Sequence, residues 1–279
     1  MNILITGSGG FIGKNLLKYL EGEFNILHPR SYELDCTNFD AVQKYFKENN
    51  IDFIIHCGTV GGIRGVEDKS TTIDENLKMV ENLLESKRKD AKMILFGSGA
   101  MYDKSKPIKK IKEENLGQHI PQDLYGRSKM LIADKIKDRE DVLCLNIFAC
   151  YGYGEKESRF PTYAITQNLK HQPIEINKNV VFDYLFVEDM CKIIRHFVTK
   201  GWKGKNIINI TPTESIKLSE ISEIVNEISD YKSEIKFKTN ELGNEYTGDN
   251  ARLLSEIPDF QFTSYRDGLK KFYDYLKNI

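Results

Sequence analysis

The sequence holds no apolar run near the ~20 residues that a bilayer crossing needs. Its N-terminal stretch lacks the basic start, apolar core and cleavage site of a signal peptide. An excess of one charge is lacking too, with 40 basic residues against 41 acidic ones, so neither nucleic acid nor a membrane surface is suggested as a partner. Cysteine is sparse. Cys36, Cys57, Cys144, Cys150 and Cys191 are scattered, odd in number and form no C-x-x-C pair, so reduced, mostly buried thiols are expected. The histidines (His28, His56, His119, His171, His196) show no metal spacing, and no metal is expected. Internal repeats and low-complexity linkers are absent as well. These absences leave a cytoplasmic protein, and 279 residues suffice for a nucleotide-binding domain with a smaller companion.

What is present starts at once. Behind the apolar Ile3-Leu4-Ile5 come Thr6-Gly7-Ser8-Gly9-Gly10-Phe11-Ile12-Gly13, which read as a strand end, a glycine turn and a helix start. Gly7 permits the tight turn, and Gly10 lets a pyrophosphate approach the backbone. Gly13 lets the helix pack close to the sheet, with phosphate at the helix N-terminus around Phe11 and Ile12. The G-x-x-G-x-x-G spacing is one residue wider in its first gap than the usual dinucleotide fingerprint. Glycine runs also make plain loops, but the strand before and the amphipathic stretch after (Leu16, Leu17, Leu20) favour a dinucleotide site.

Short apolar runs alternate with helical patterns through the first half. Strands are expected at 2–6, 24–28, 52–57, 92–97 and 142–148, with helices near 11–21, 38–49, 73–88 and 125–139. Thr37 or Asn38 caps the second helix, whose apolar stripe is Val42, Tyr45 and Phe46. This alternation specifies an α/β fold: a doubly wound, Rossmann-type parallel sheet with helices on both faces and ligands at the carboxyl ends of its strands. Beyond residue 150 the rhythm changes. A helix near 160–170, strands at 174–176 and 181–186, a helix 188–199 and a strand 206–210 are expected. Helices over Leu218–Ile228 and Tyr265–Leu276 then flank a strand at 234–238. Residues 1–150, with a return segment about 180–211, read as the dinucleotide-binding domain. Residues 151–179 and 212–279 read as a substrate-binding lobe, with the substrate in the cleft between them.

Two groups could do chemistry. Tyr125 and Lys129 stand four apart at a helix start, on one face. A free phenol with a pKa near ~10 is a poor proton carrier at neutral pH, and a neighbouring ammonium favours the phenolate. Ser98 ends the strand Met93-Ile94-Leu95-Phe96, where its hydroxyl could hold a carbonyl oxygen. Taken singly, the first is an ordinary Tyr-Lys pair and the second a turn residue.

Taken together, the glycine motif, the strand-end serine and the later Y-x-x-x-K resemble the extended short-chain dehydrogenase/reductase family over nearly the whole chain. Ile54-Ile55-His56-Cys57-Gly58 is similar to the family's "V-I-H-x-A". Glu75-Asn76-Leu77 with Asn82-Leu83-Leu84 is similar to its "x-N-V…N-L-L". Ala149-Cys150-Tyr151-Gly152 stands where the family has "N-V-Y-G", and Asp183 to Asp189 resembles "R-D-F-x-H-V-D-D" without the arginine. Val60-Gly61-Gly62-Ile63 and Glu33-Leu34-Asp35 look most like the GDP-fucose synthases and related nucleotide-sugar 4-ketoreductases. The resemblance implies that Ser98 binds the substrate carbonyl and Tyr125 donates the proton. It further implies that Lys129 lowers the tyrosine pKa and holds the nicotinamide ribose. Gly58, Thr59 and Asn76 would join the cofactor site, Asp35-Cys36 would meet the adenine, and Val60 and Gly61 would meet the substrate. A homodimer is also implied.

Departures from the family pattern narrow the chemistry. Ala100 replaces the cysteine, and loop 152–161 lacks the histidine, that the fucose synthases use to epimerise. Gly99-Ala100 stand where dehydratases carry an Asp-Glu pair. Ala149 and Phe182 replace a substrate-contacting asparagine and a phosphate-binding arginine, leaving Arg159 and Arg252 as candidates for that charge or as ordinary exposed arginines. After the second strand, where an NAD binder places an acid, the chain has His28-Pro29-Arg30-Ser31. A guanidinium fork at Arg30, with Ser31, suits a 2′-phosphate, hence NADPH; Glu33 keeps NADH as the alternative. The expected function is NADPH-dependent reduction of a nucleotide-linked 4-keto (deoxy)sugar. The alternatives are an NAD-dependent nucleotide-sugar 4-epimerase and a non-catalytic dinucleotide-binding protein.

Overall fold

A computed structural model describes residues 1–279. The chain runs β1 (Asn2–Thr6), α1 (Phe11–Leu20), β2 (Asn25–Leu27), α2 (Phe39–Glu48), β3 (Phe53–His56), α3 (Thr72–Ser86) and β4 (Lys92–Ser98). Then follow β5 (Ile108–Ile111), α4 (Leu124–Ile136), β6 (Val142–Ile147), β7 (Ala149–Tyr151) and α5 (Phe160–Leu169). Next come β8 (Ile174–Ile176), β9 (Val181–Phe182), β10 (Tyr184–Phe186), α6 (Val187–Lys200), β11 (Ile207–Asn209), β12 (Ile216–Lys217) and α7 (Leu218–Ile228). The last are β13 (Ile235–Phe237), β14 (Tyr246–Gly248), α8 (Ala251–Glu256) and α9 (Tyr265–Lys277).

Six strands form one parallel sheet in the order β11-β6-β4-β3-β1-β2. Their continuous apolar runs reflect burial on both faces. Ile3 and Ile5 enter the core under α1 and α6, whereas Leu4 between them enters the core with Val42, Val80, Leu83 and Ile132 on the opposite face. Each such side chain contributes roughly 1.5–3 kcal/mol over leaving it exposed. Asn38 caps α2, its Oδ1 accepting from Ala41 N–H at 3.1 Å. Because β2 and β3 flank β1 on opposite sides, a crevice opens at the carboxyl ends of β1 and β3.

The second half departs from the expected layout. The strand expected at 181–186 breaks at Asp183, which is fully buried and accepts from Ser215 Oγ (2.5 Å), Gly248 N–H (2.8 Å) and Lys110 Nζ (3.1 Å). A carboxylate needing three donors cannot sit inside a regular ladder, so β9 and β10 join different sheets. The four-stranded sheet β12-β9-β14-β5 takes β5 from the first half of the chain, and neither β5 nor β14 was expected.

Candidate functional site

The dinucleotide end of the site follows from three glycines. Gly7 has φ +68°, and a Cβ there would stand 2.6 Å from Gly58 N, where β1 and β3 end side by side. A Cβ on Gly13 would strike the Gly7 carbonyl and lie 2.7 Å from Ser8 Cα, so α1 meets the turn only with glycine there. Gly10 N–H closes the turn on Gly7 O at 3.0 Å. The first turn of α1, beginning at Phe11 and Ile12, has no side-chain cap and no acidic residue. Its free N–H groups and positive dipole end suit a pyrophosphate.

Arg30 lies over this turn, its guanidinium against Gly9. Glu33 does not compete for the guanidinium, because its carboxylate accepts from the Arg30 amide at 2.7 Å. Arg30 and Ser31 are exposed, as a 2′-phosphate site requires. Asp35 Oδ1 is committed to Thr37 N–H and Oγ1 (2.9 and 2.7 Å), with Cys36 buried behind it. Asn76 is a correction. It is buried, and its amide accepts from Val60 N–H (2.8 Å) and donates to Val60 O (2.9 Å) and Ser128 Oγ (3.0 Å). It fastens the loop carrying Thr59, Val60 and Gly61 to α4 instead of facing a ligand.

At the end of β4, Ser98 Oγ accepts from Ala100 N–H at 3.2 Å and opens a short 3₁₀ turn, Gly99–Tyr102. Tyr125 is in the first turn of α4, whose N-cap Asp123 accepts from Gly126 N–H at 2.8 Å. Lys129 is buried one turn on, with Nζ 5.6 Å from the Tyr125 ring centre. The expectation that Lys129 lowers the Tyr125 pKa is corrected here. Its ammonium donates to Phe96 O at 2.9 Å, and Tyr125 is shifted upward, chiefly by burial and also by Asp123 and Asp68. Hydrogen bonding from Ser98 and the charge of Arg159 act the other way. Tyr125 therefore rests as a protonated phenol, the state of a proton donor. Burial also pulls Lys129 down to about 8.

A cavity of about 580 Å³ opens at the start of α4, walled by the loop 62–68, Asp123, Leu124 and Arg159; Ser98, Tyr125 and Lys129 do not line it. Arg159 is the N-cap residue of α5. Arg252 is a third correction. Its guanidinium donates to Ile207 O at 3.0 Å and pairs with Glu114 (2.5 Å) and Glu113 (3.5 Å), so it braces α8 against β11. Two residues lining the cavity, Arg64 and Asp68, were not anticipated, because a polar loop of no set period carries them. Tyr246 was also missed. From β14, far along the chain, its phenol packs against Gly99, next to Ser98.

The loop after β7 has no free acid for proton abstraction. Glu155 is buried, accepts from Thr162 Oγ1 at 2.6 Å and is pushed up to about 8 by burial. Glu157 pairs with Lys170 at 3.2 Å, and Asp103 accepts from Ser105 Oγ at 2.6 Å.

A family model described as the NAD dependent epimerase/dehydratase family matches residues 3–211. The GDP-6-deoxy-D-talose 4-dehydrogenase of Aggregatibacter actinomycetemcomitans is 28% identical over 98% of this chain and 97% of its own length. The GDP-L-colitose synthase of Yersinia pseudotuberculosis is 24% identical over 100% of this chain and 98% of its own. Among solved structures, a GDP-mannoheptose C4 reductase from Campylobacter jejuni with NADP bound has a TM-score of 0.87 at 21% identity, covering 99% of this chain and 98% of that one. The chain belongs to the NAD dependent epimerase/dehydratase family, and the match takes in its parallel sheet from β1 through β11.

Proposed function

We propose that the protein reduces a nucleotide-linked 4-keto (deoxy)sugar to the corresponding alcohol, using NADPH. The observation that carries this reading is the placement of Tyr125 beside Ser98, with its ring against Gly62 in the loop that walls the cavity. Ser98 hydrogen-bonds the carbonyl oxygen, and Tyr125 transfers its proton to that oxygen as negative charge develops. Lys129, tied to Phe96 O one turn from Tyr125, presents its ammonium for the nicotinamide ribose. When bound, NADPH supplies the hydride to the carbonyl carbon. The capless start of α1 fits its pyrophosphate, and Arg30 over Gly9 fits its 2′-phosphate.

Relatives named for GDP-linked sugars and a neighbour holding NADP support the substrate class and the cofactor. In this reading residues 1–150 and about 180–211 hold the cofactor, residues 151–179 and 212–279 shape the sugar end, and two copies form a homodimer in the cytoplasm. No helix is long and apolar enough to cross a membrane. The test is NADPH consumption by purified protein against a panel of nucleotide-linked 4-keto sugars. Turnover with none of them overturns the proposal, and NAD(H) retained through purification would favour the 4-epimerase instead.

A further inference from the structure

Asp68 lies in the loop between β3 and α3, on the wall of the cavity. Its Oδ1 accepts from Gly62 N–H at 2.8 Å, and its Oδ2 accepts from Tyr125 N–H at 2.8 Å. One carboxylate thus joins the loop to the backbone of the residue read as the proton donor. The fit around it is close. Gly62 has φ +69°, and a Cβ there would stand 2.9 Å from three atoms of the Tyr125 ring. Gly61 has φ +85°, and a Cβ there would stand 2.6 Å from Asp68 Oδ1. Asp123 caps α4 at Gly126 N–H, so Asp68 serves a separate first-turn donor, Tyr125 N–H, from outside the helix.

We propose that Asp68 is a positioning residue for the reduction, latching the loop Val60–Asp68 across Tyr125 so that cavity wall and proton donor are held as one unit. The proposal rests on the reading of Tyr125 as the donor. Two charge-assisted hydrogen bonds accepted by one carboxylate are stronger than neutral ones and fix both donors at once. A second consequence separates Asp68 from a passive tether. Tyr125 is faced by Ser98 from β4, Arg159 from α5, Tyr246 from β14, Asp123 and Lys129 from α4, and Asp68 from the loop. Asp68 and Asp123 favour the protonated phenol; Ser98 and Arg159 favour the phenolate.

The test compares Asp68→Asn and Asp68→Ala with the parent enzyme. Reduction needs the proton on Tyr125, so activity is lost as pH rises through its titration. Removing the negative charge lowers that titration, and the alkaline limb of kcat should move to lower pH in both variants. Asp68→Ala, which also frees both amides, should raise KM for the nucleotide sugar about tenfold or more while leaving NADPH affinity unchanged. Wild-type kcat, KM and pH limb in both folded variants overturn the proposal. Amide hydrogen exchange on the unaltered protein gives a second check, with Gly62 and Tyr125 expected to be protected. Rapid exchange at both sinks the latch whether or not the variants fold. Failure of every keto sugar to turn over would instead strike the functional reading and leave the exchange result standing.

Discussion

The Tyr246 hydroxyl lies 2.7 Å from where a Cβ on Gly99 would stand. Phe148 presses on the same point, its Cδ1 2.5 Å away. Glycine at position 99 therefore lets β14 bring a phenol up to the turn that follows Ser98. Gly99→Ala should cost about 1–3 kcal/mol through overpacking, read as a lower urea midpoint, and should also reduce kcat. Adding Tyr246→Phe should recover only part of the stability, because Phe148 remains. Unchanged stability in the single variant would mean the site yields more easily than its packing implies.

Tyr125→Phe removes the transferable proton and little else. Turnover should fall by ~10² or more, with NADPH affinity nearly intact. Wild-type turnover in this variant would remove Tyr125 from the mechanism.

Arg30→Ala should weaken NADPH binding by roughly tenfold to a hundredfold, from loss of a charge-assisted pair of ~1.5–3 kcal/mol. NADH affinity should barely change. Titration calorimetry or fluorescence with both cofactors distinguishes this from an equal loss, which would assign Arg30 to the fold.

Running the reaction in deuterated water checks that reduction proceeds without epimerisation. Ala100 and the committed carboxylates Glu155, Glu157 and Asp103 leave no positioned base for the neighbouring carbons. No enzyme-dependent deuterium should appear there by NMR or mass spectrometry. Its appearance would mean that another residue does this work.

Glu155 gives a pH prediction for stability. Its carboxyl titrates near 8 when folded, against an ordinary value of 4.5. Between those values the folded state binds the extra proton, so stability falls as pH rises through the window. Glu155→Gln, which mimics the protonated form and can still meet Thr162, should flatten that fall. Urea midpoints at acidic and mildly alkaline pH give the comparison, and an unaltered slope would show that Glu155 is ionised in the fold.

The parallel sheet and its glycine turn were legible because they rest on short-range spacing. Ile3, Leu4 and Ile5 alternate between two cores, so an unbroken apolar run already reports burial on both faces. Ser98, Tyr125 and Lys129 were legible for a related reason: one ends a strand, and two lie a helical turn apart. β5 and β14 were not. Ile108–Ile111 alternates no better than a loop, and Tyr246–Gly248 is three residues in a polar stretch. β5 becomes a strand because β14 supplies hydrogen bonds from far along the chain, and β14 is itself held between β5 and β9.

What the sequence determined by itself was therefore the set of local elements and the identity of the chemical groups on them. Tertiary structure alone decided which of those groups stayed free. Arg159 and Arg252 look alike as letters, yet one borders the cavity while the other meets Glu113 and Glu114. Asn76 reads as a ligand-side amide, yet Val60 and Ser128 occupy it. Lys129 stands one turn from Tyr125 as the spacing requires, but the Phe96 carbonyl takes its proton-bearing end. A charge or an amide is satisfied by whatever the fold brings within about 3 Å, and spacing along the chain does not encode that neighbour.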